Sequence, residues 1–206
     1  MAGAGEAAPG DRHGQHIMAV MPPTAKTALE DFQPVVQASE EACFYRDTQH
    51  SLHKAGAAAT APEVEIVQDA ELGREVVELV GAQVELRIAV KCPLPYLVLH
   101  VKDVDRFTGL TLTLVDTTKR IRRYSASNKQ TVIRAKGDAA SAPLLLVPGW
   151  NLVVLDLPSI MQQAFGAEFA YCKEVCLQST MRVARVFFQD ALYEDEELPP
   201  FLRVLP

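Results

Sequence analysis

Aromatic side chains are scarce in this sequence, at 7% of residues with a single tryptophan, Trp150. A surface that stacks bases or sugars presents several rings, so few positions are open to such a role. Cysteine is scarce too. Cys43, Cys92, Cys172 and Cys176 show no C-x-x-C spacing. Cys172 and Cys176 stand four apart, but no paired Cys or His set completes a zinc site with them. In a cytosolic setting all four would stay thiols. Long apolar runs are absent: none approaches the roughly 20 residues that span a bilayer. The opening MAGAGEAAPGDRHGQH lacks the basic start and apolar stretch of a secretory signal. Nor is there an excess of positive charge. The chain carries 20 Lys and Arg against 26 Asp and Glu, a net charge of −6. Neither nucleic acid nor an anionic membrane is favoured by that balance.

Catalytic signatures are missing as well. The sequence holds no G-x-S-x-G, no P-loop and no G-x-G-x-x-G after a strand. His13/His16 and His50/His53 each read H-x-x-H, but lie in loop-like sequence without H-E-x-x-H chemistry, and are expected to be solvated. The expectation is a protein that is not an enzyme and needs no metal, cofactor or small-molecule substrate.

What is present is a large apolar fraction, 49% of 206 residues, enough for one domain with a tail. Residues 1–31 are rich in Ala, Gly and Pro without periodicity and are taken as an N-terminal extension to a domain at 32–206. A second Ala-rich patch, KAGAAATAP, covers 54–62. From residue 63 strand patterns begin. In QVELRIAV, Val84, Leu86, Ile88 and Val90 alternate with Gln83, Glu85 and Arg87, the period of a strand with one wet face. YLVLHV (96–101) follows Pro93 and Pro95, and residues 110–127 read as a hairpin. PLLLV (143–147), WNLVVLDL (150–157), KEVCLQS (173–179) and MRVARVFF (181–188) complete a series of eight or nine strands. Such spacing predicts an all-β fold, an antiparallel β-sandwich, rather than alternating βα units.

One helix interrupts, at 157–166, with Pro158 near its start, Gly166 at its stop, and Ser159 and Gln162 at capping-box spacing. Ile160, Ala164 and Phe165 give it an apolar stripe, which suits a short lid over an open end of the sandwich. WNLVVLDL is apolar on both alternating faces, so it is expected to be buried on both sides. Trp150, with Asn151 beside it, is read as a structural anchor packed into the core at the sandwich edge rather than a ligand platform.

Four stretches carry a resemblance to a known family: CPLPYLVLHVKDVDRFTGLTLTLVD, RRYSASNKQT, PGWNLVVLDLPSIMQQAFGAEF and RVARVFFQDALYEDEELPPFLRVLP. In matching order from about Val84 to Pro206, they resemble the family of cilia- and flagella-associated protein twenty, also called the BUG-twenty-two or DUF-six-six-seven domain. Residues 32–83 match only loosely, with Phe32-Gln33 marking a candidate first strand, so the likeness implies a divergent member or paralogue. It also implies a jelly-roll-like β-sandwich similar to carbohydrate-binding modules. The implied role is structural and non-enzymatic: a component of the ciliary doublet microtubule, at the inner junction or elsewhere inside the doublet. Implied partners are tubulin and other axonemal doublet proteins. The implied location is the axoneme, with basal bodies and nuclei as further family locations.

The charge pattern offers two candidate contact surfaces. Residues 119–136 hold seven cations and no acid: Lys119, Arg120, Arg122, Arg123, Lys129, Arg134 and Lys136. Tubulin is strongly acidic, and arginine pairs well with carboxylates. On a strand, however, Arg122 and Arg123 face opposite sides. Only Tyr124 interleaves with these cations, too few rings for nucleic acid. At the other pole Glu194, Asp195, Glu196 and Glu197 form an acidic block, suited to a basic neighbour or to the protein's own basic stretch. Adjacent acids on a loop do not supply the two facing carboxylates, about 5 to 9 Å apart, of a glycosidase. Two alternative readings are a soluble glycan-binding module and a nuclear or RNA-processing scaffold.

Overall fold

Alternation of apolar and polar residues, met in strand after strand, leaves each strand one face that must be covered, and two sheets meet to cover them. The computed structural model describes residues 16–21, 63–81 and 84–204. The candidate strand at Phe32-Gln33, the patch at 54–62, and Cys43, His13, His50 and His53 lie outside these.

The first sheet contains β1 (Ile17–Met21), β2 (Glu63–Asp69), β3 (Arg74–Val80), β5 (Tyr96–Asp103), β10 (Gly149–Asp156) and β12 (Met181–Gln189). Its order is β10-β5-β12-β3-β2, with β1 also paired to β12. The second sheet contains β4 (Glu85–Cys92), β6 (Thr108–Asp116), β7 (Ile121–Ser127), β8 (Arg134–Lys136), β9 (Ala139–Pro143) and β11 (Phe169–Ser179). Its order is β4-β11-β6-β7-β9-β8. The expected all-β sandwich is what the chain forms. The ladders are antiparallel except β7 with β9, which run parallel.

The interior is filled from both sheets. Val77, Leu79, Leu97, Leu99, Val101, Val183, Val186 and Phe188 from the first meet Leu86, Ile88, Val90, Leu110, Leu112, Leu114, Val175 and Leu177 from the second in one buried cluster. The alternation read in β4 holds, since Leu86, Ile88, Val90 and Cys92 are buried while Arg87, Ala89 and Lys91 are exposed. A smaller apolar cluster, Ile17, Val98, Phe187, Leu198 and Leu202, lies on the outer face of the first sheet. Val98 and Phe187 point away from their strand neighbours Leu97, Leu99, Val186 and Phe188, and the segment after β12 folds back over them.

Several elements differ from the sequence reading. Residues 144–147 are not a strand. Asn151 takes over the backbone of Val147, accepting from its N–H at 2.9 Å and donating to its carbonyl at 2.8 Å, so no ladder forms there. Strand β10 is not buried on both faces. Among the described residues it ends the first sheet, paired only with β5, and leaves Leu152 and Val154 52% and 43% exposed. Helix α1 (Leu157–Phe165) is capped by Asp156, whose carboxylate accepts from the Ser159 N–H at 2.9 Å, rather than by Ser159 with Gln162. Its fully buried side chains are Leu157 and Met161, with Ile160 and Phe165 packed beside them. The helix stops where Gly166 adopts φ 59°, the left-handed geometry that suits glycine. Finally, Ile17–Met21, in a stretch without periodicity, pairs with β12 and buries Met18 and Val20 in the core.

Candidate interaction surfaces

The basic stretch divides between two faces. Arg122 points to the inner side of β7, where its guanidinium donates to Asp116 Oδ2 at 3.2 Å and to Asp138 Oδ1 at 2.5 Å. It also lies over the Phe165 ring, 5.6 Å from the centroid. Arg120 pairs with Asp138 at 2.8 Å. The charges of Arg120 and Arg122 are therefore met within the molecule, by acids that flank the stretch on either side. Asp116 is the fixed point of this corner. Its Oδ1 accepts from the Thr118 hydroxyl at 2.6 Å, the Thr118 N–H at 2.9 Å and the Arg120 N–H at 2.8 Å, which orders the turn between β6 and β7. The bond from the Thr118 hydroxyl, aided by those from Arg120 and Arg122 and opposed by burial, lowers the Asp116 carboxyl below its ordinary range.

Arg123 faces outward. Register places it opposite Ala139 on β9, which in turn faces Lys136 on β8, while Ser125 faces Ser141 and then Arg134. Residues in register share a face, so Arg123, Arg134 and Lys136 stand together on the outer face of the second sheet. Two strand spacings, about 10 Å, separate Arg123 from Lys136. All three are exposed, and none has an ion-pair partner among the described residues. Lys129 sits over the Phe107 ring, 5.4 Å from the centroid. Lys119 occupies the β6–β7 turn with a φ of 67°. Tyr124 turns inward and packs on the core, and burial raises its phenol pKa.

The acidic block is a structured turn. Asp195–Glu197 form a 3-10 turn in which Glu197 Oε2 accepts from the Glu194 N–H at 2.9 Å. Asp195 accepts from the Val204 N–H at 2.6 Å. Arg203 donates to the carbonyls of Leu198 and Glu196, both at 2.9 Å. Asp195 and Glu197 thus serve the local fold. Leu198 ties the turn to the outer face of the first sheet, across the sandwich from Arg123, Arg134 and Lys136. The ion pairs of the basic stretch among the described residues are with Asp116 and Asp138.

Trp150 belongs to neither apolar cluster. It lies half-buried on the outer face of the first sheet, its indole N–H donating to Asp69 Oδ1 at 3.3 Å. Its ring meets His100 at a centroid distance of 4.7 Å, with Lys102 Nζ 5.7 Å away over the ring. It anchors an ionic cluster rather than the oily interior. Asp69, fully buried, is the hub. Besides Trp150, it accepts from the Glu71 and Leu72 N–H groups at 3.0 and 3.2 Å, from Lys102 at 3.3 Å and from Arg182 at 2.8 Å. Burial alone would raise its carboxyl, but the bonds from Arg182, Leu72, Glu71 and Lys102 outweigh burial and hold it well below the ordinary aspartate range. One carboxylate thereby links β2, β5, β10 and β12. Asn151, the other expected anchor, also donates to the Gly149 carbonyl at 2.7 Å and pins the Pro148-Gly149 turn.

Under the C-terminal segment Arg185 is buried, donating to the Phe201 carbonyl at 2.8 Å and to His100 Nδ1 at 3.3 Å. Burial, reinforced by Arg74, pushes the His100 imidazole down to about 4, so at neutral pH its Nδ1 is free to accept. Sequence reasoning missed Asp69, Asp116, Asp138 and Arg185. Asp138 had a local signal, since it stands two residues past Lys136 in the turn between β8 and β9. Asp69 had none, because its partners Lys102, Trp150 and Arg182 are remote in sequence.

These features define a class: a β-sandwich scaffold whose buried ionisable groups tie strands together and whose outer faces carry separate charged patches. Comparison with known proteins gives the family. A family model described as CFA20 domain matches residues 32–205, and the chain belongs to that family. It is 29% identical over 143 residues to "Cilia- and flagella-associated protein 20" of Chlamydomonas reinhardtii, covering 65% of this chain and 75% of that protein. Proteins of the same name from Caenorhabditis elegans and Paramecium tetraurelia are each 27% identical, over 146 and 143 residues. Those alignments cover 66% and 65% of this chain, and 71% and 75% of the relatives. The chain is a cilium- and flagellum-associated protein. Among solved structures, one described as "Structural analysis of an exo-beta-agarase" overlaps 64% of this chain and 22% of that one. At 13% identity and a TM-score of 0.24 it carries no argument about ligand or activity. Strand β1 precedes the matched residues, yet it pairs with β12 inside them.

Proposed function

We propose that this protein is a non-enzymatic structural component of the axoneme. In this reading it docks on the doublet microtubule, at the inner junction or elsewhere inside the doublet, and stabilises it through contacts with tubulin and neighbouring axonemal proteins. The observation that carries the proposal is the placement of Arg123, Arg134 and Lys136. Arg123 on β7 and the pair Arg134 and Lys136 on β8, with β9 between, form one outward cationic face, unpaired among the described residues. Such a face is complementary to the acidic surface of tubulin. Glu194 and Glu196, exposed on the far side of the sandwich, offer a second contact for a basic neighbour. A scaffold role also suits the buried ionisable groups, since Asp69 and Arg185 hold separate parts of the chain together and Asp116 fixes the β6–β7 hairpin.

Co-sedimentation of the full chain with polymerised tubulin tests this. The triple variant Arg123→Glu, Arg134→Glu and Lys136→Glu should keep the wild-type melting temperature and lose most of its pelleting, and raising salt should weaken the wild type. Unchanged pelleting of a folded triple variant refutes the assignment of this face.

A further inference from the structure

Two of the cysteines stand face to face. Cys92 ends β4, Cys172 lies on β11, and the register pairs them directly across the antiparallel ladder. Both side chains belong to the interior cluster and both are fully buried, so they share the inner face. Directly opposed residues in such a ladder have Cα atoms about 4.5–5.5 Å apart. That lies inside the range of about 4.4–6.8 Å over which a disulfide closes without moving the backbone. Cys176, by contrast, alternates to the other face, opposite Arg87.

Location also decides how the pair is reached. Among the described residues, strand β4 is the edge of the second sheet, held on one side only, by β11. Cys92 is its final residue, followed by Pro93, which has no N–H to continue the ladder. A strand end held on one side opens more readily than the sheet's interior. In the closed state burial keeps both thiols protonated. It raises Cys92 to about 11 and Cys172 higher still, so reaction waits on opening.

We infer that Cys92 and Cys172 form a redox clasp, a thiol pair that a small-molecule disulfide converts into an intrachain bond fastening the end of β4 to β11. When the end of β4 opens, Cys92 loses its proton to solvent. Its thiolate attacks one sulfur of the small disulfide, giving a mixed disulfide and releasing one small thiolate. Reclosure brings Cys172 against Cys92. Cys172 gives up its proton and attacks the Cys92 sulfur, displacing the second small thiolate. Two electrons pass to the small disulfide and two protons to the two released thiolates. Reduction by a dithiol reverses the change. The oxidised protein has an edge strand that no longer peels.

The test uses the full chain, oxidised glutathione and peptide mapping after thiol blocking. The expected product is a monomer lighter by two hydrogens, with the peptides bearing Cys92 and Cys172 joined. The bond should form faster in mild denaturant and raise the melting temperature, and dithiothreitol should remove it. Cys92→Ala and Cys172→Ala should each abolish the product, while Cys176→Ala should leave it. Mapping of the wild type decides the matter even where a variant fails to fold. The inference is overturned by a link involving Cys43 or Cys176, by a glutathione adduct on Cys92 that Cys172 does not displace, or by four unreacted thiols under these conditions.

Discussion

Asn in place of Asp69 keeps the shape of the side chain and removes its charge at the centre of the Trp150 cluster. The amide oxygen can still accept from Glu71, Leu72 and Trp150, but its NH2 group would face Lys102 and Arg182, two donors. Each charge-assisted hydrogen bond contributes about 1.5–3 kcal/mol when made. Two are lost, yet the full sum overstates the cost. Lys102 keeps Glu71 and Arg182 keeps Glu78, both at 2.6 Å, and the two cationic side chains are 15% and 30% exposed. Discounted for those second partners and for solvent screening, the expected loss is about 2–3 kcal/mol. At about 2–4 °C per kcal/mol for a chain of this size, the melting temperature should fall by roughly 4–12 °C.

The pH dependence gives a second readout. The native Asp69 carboxyl is held below its ordinary range, so the unfolded chain binds the proton more readily. Stability from this group is therefore complete above the unfolded pKa of about 3.9 and is lost as pH falls toward the native value. Wild type and Asp69→Asn should differ by a constant margin near neutrality and converge in acid. Thermal melts followed by the fluorescence of the lone tryptophan suit both, since its indole N–H bonds Asp69. A variant that melts with the wild type at neutral pH, or a gap that is undiminished below pH 3, refutes the hub.

Adjacent arginines should behave oppositely. Arg122→Glu sets a third carboxylate beside Asp116 and Asp138 and should lower the melting temperature by several degrees, whereas Arg123→Glu should stay within about 0.5 kcal/mol of wild type in urea unfolding. Gly166→Ala tests the helix stop: no atom lies within 4 Å of an added Cβ, so the cost is conformational, about 1 kcal/mol in the same assay.

Local periodicity made much of this fold readable. The alternation in 84–90 told which face of β4 is wet, and the polar break at Thr117-Thr118-Lys119 told where β6 turns into β7. Where partners are remote, local pattern failed. WNLVVLDL reads as buried on both sides because its residues are apolar, but burial depends on whether a neighbour lies beyond the strand, and β10 has none there among the described residues. Strands β8 and β9 escaped notice because one is three residues long and the other is AASAP, with little apolar contrast. Of the basic stretch, alternation separated Arg122 from Arg123. It could not show that Asp116 and Asp138 close on Arg122, which depends on the turns that bring them there. Charge counting alone therefore overstated the free cations.

Strand β12 lies between β5 on one side and β3 and β1 on the other. During translation the first sheet can exist only as two separate pairs, β2 with β3 and β5 with β10, until residues 181–189 clear the ribosome. The strands made before it must then wait, with apolar faces open, for that segment. Pairing so remote in sequence makes closure of the first sheet a slow step of folding and leaves the waiting strands open to aggregation.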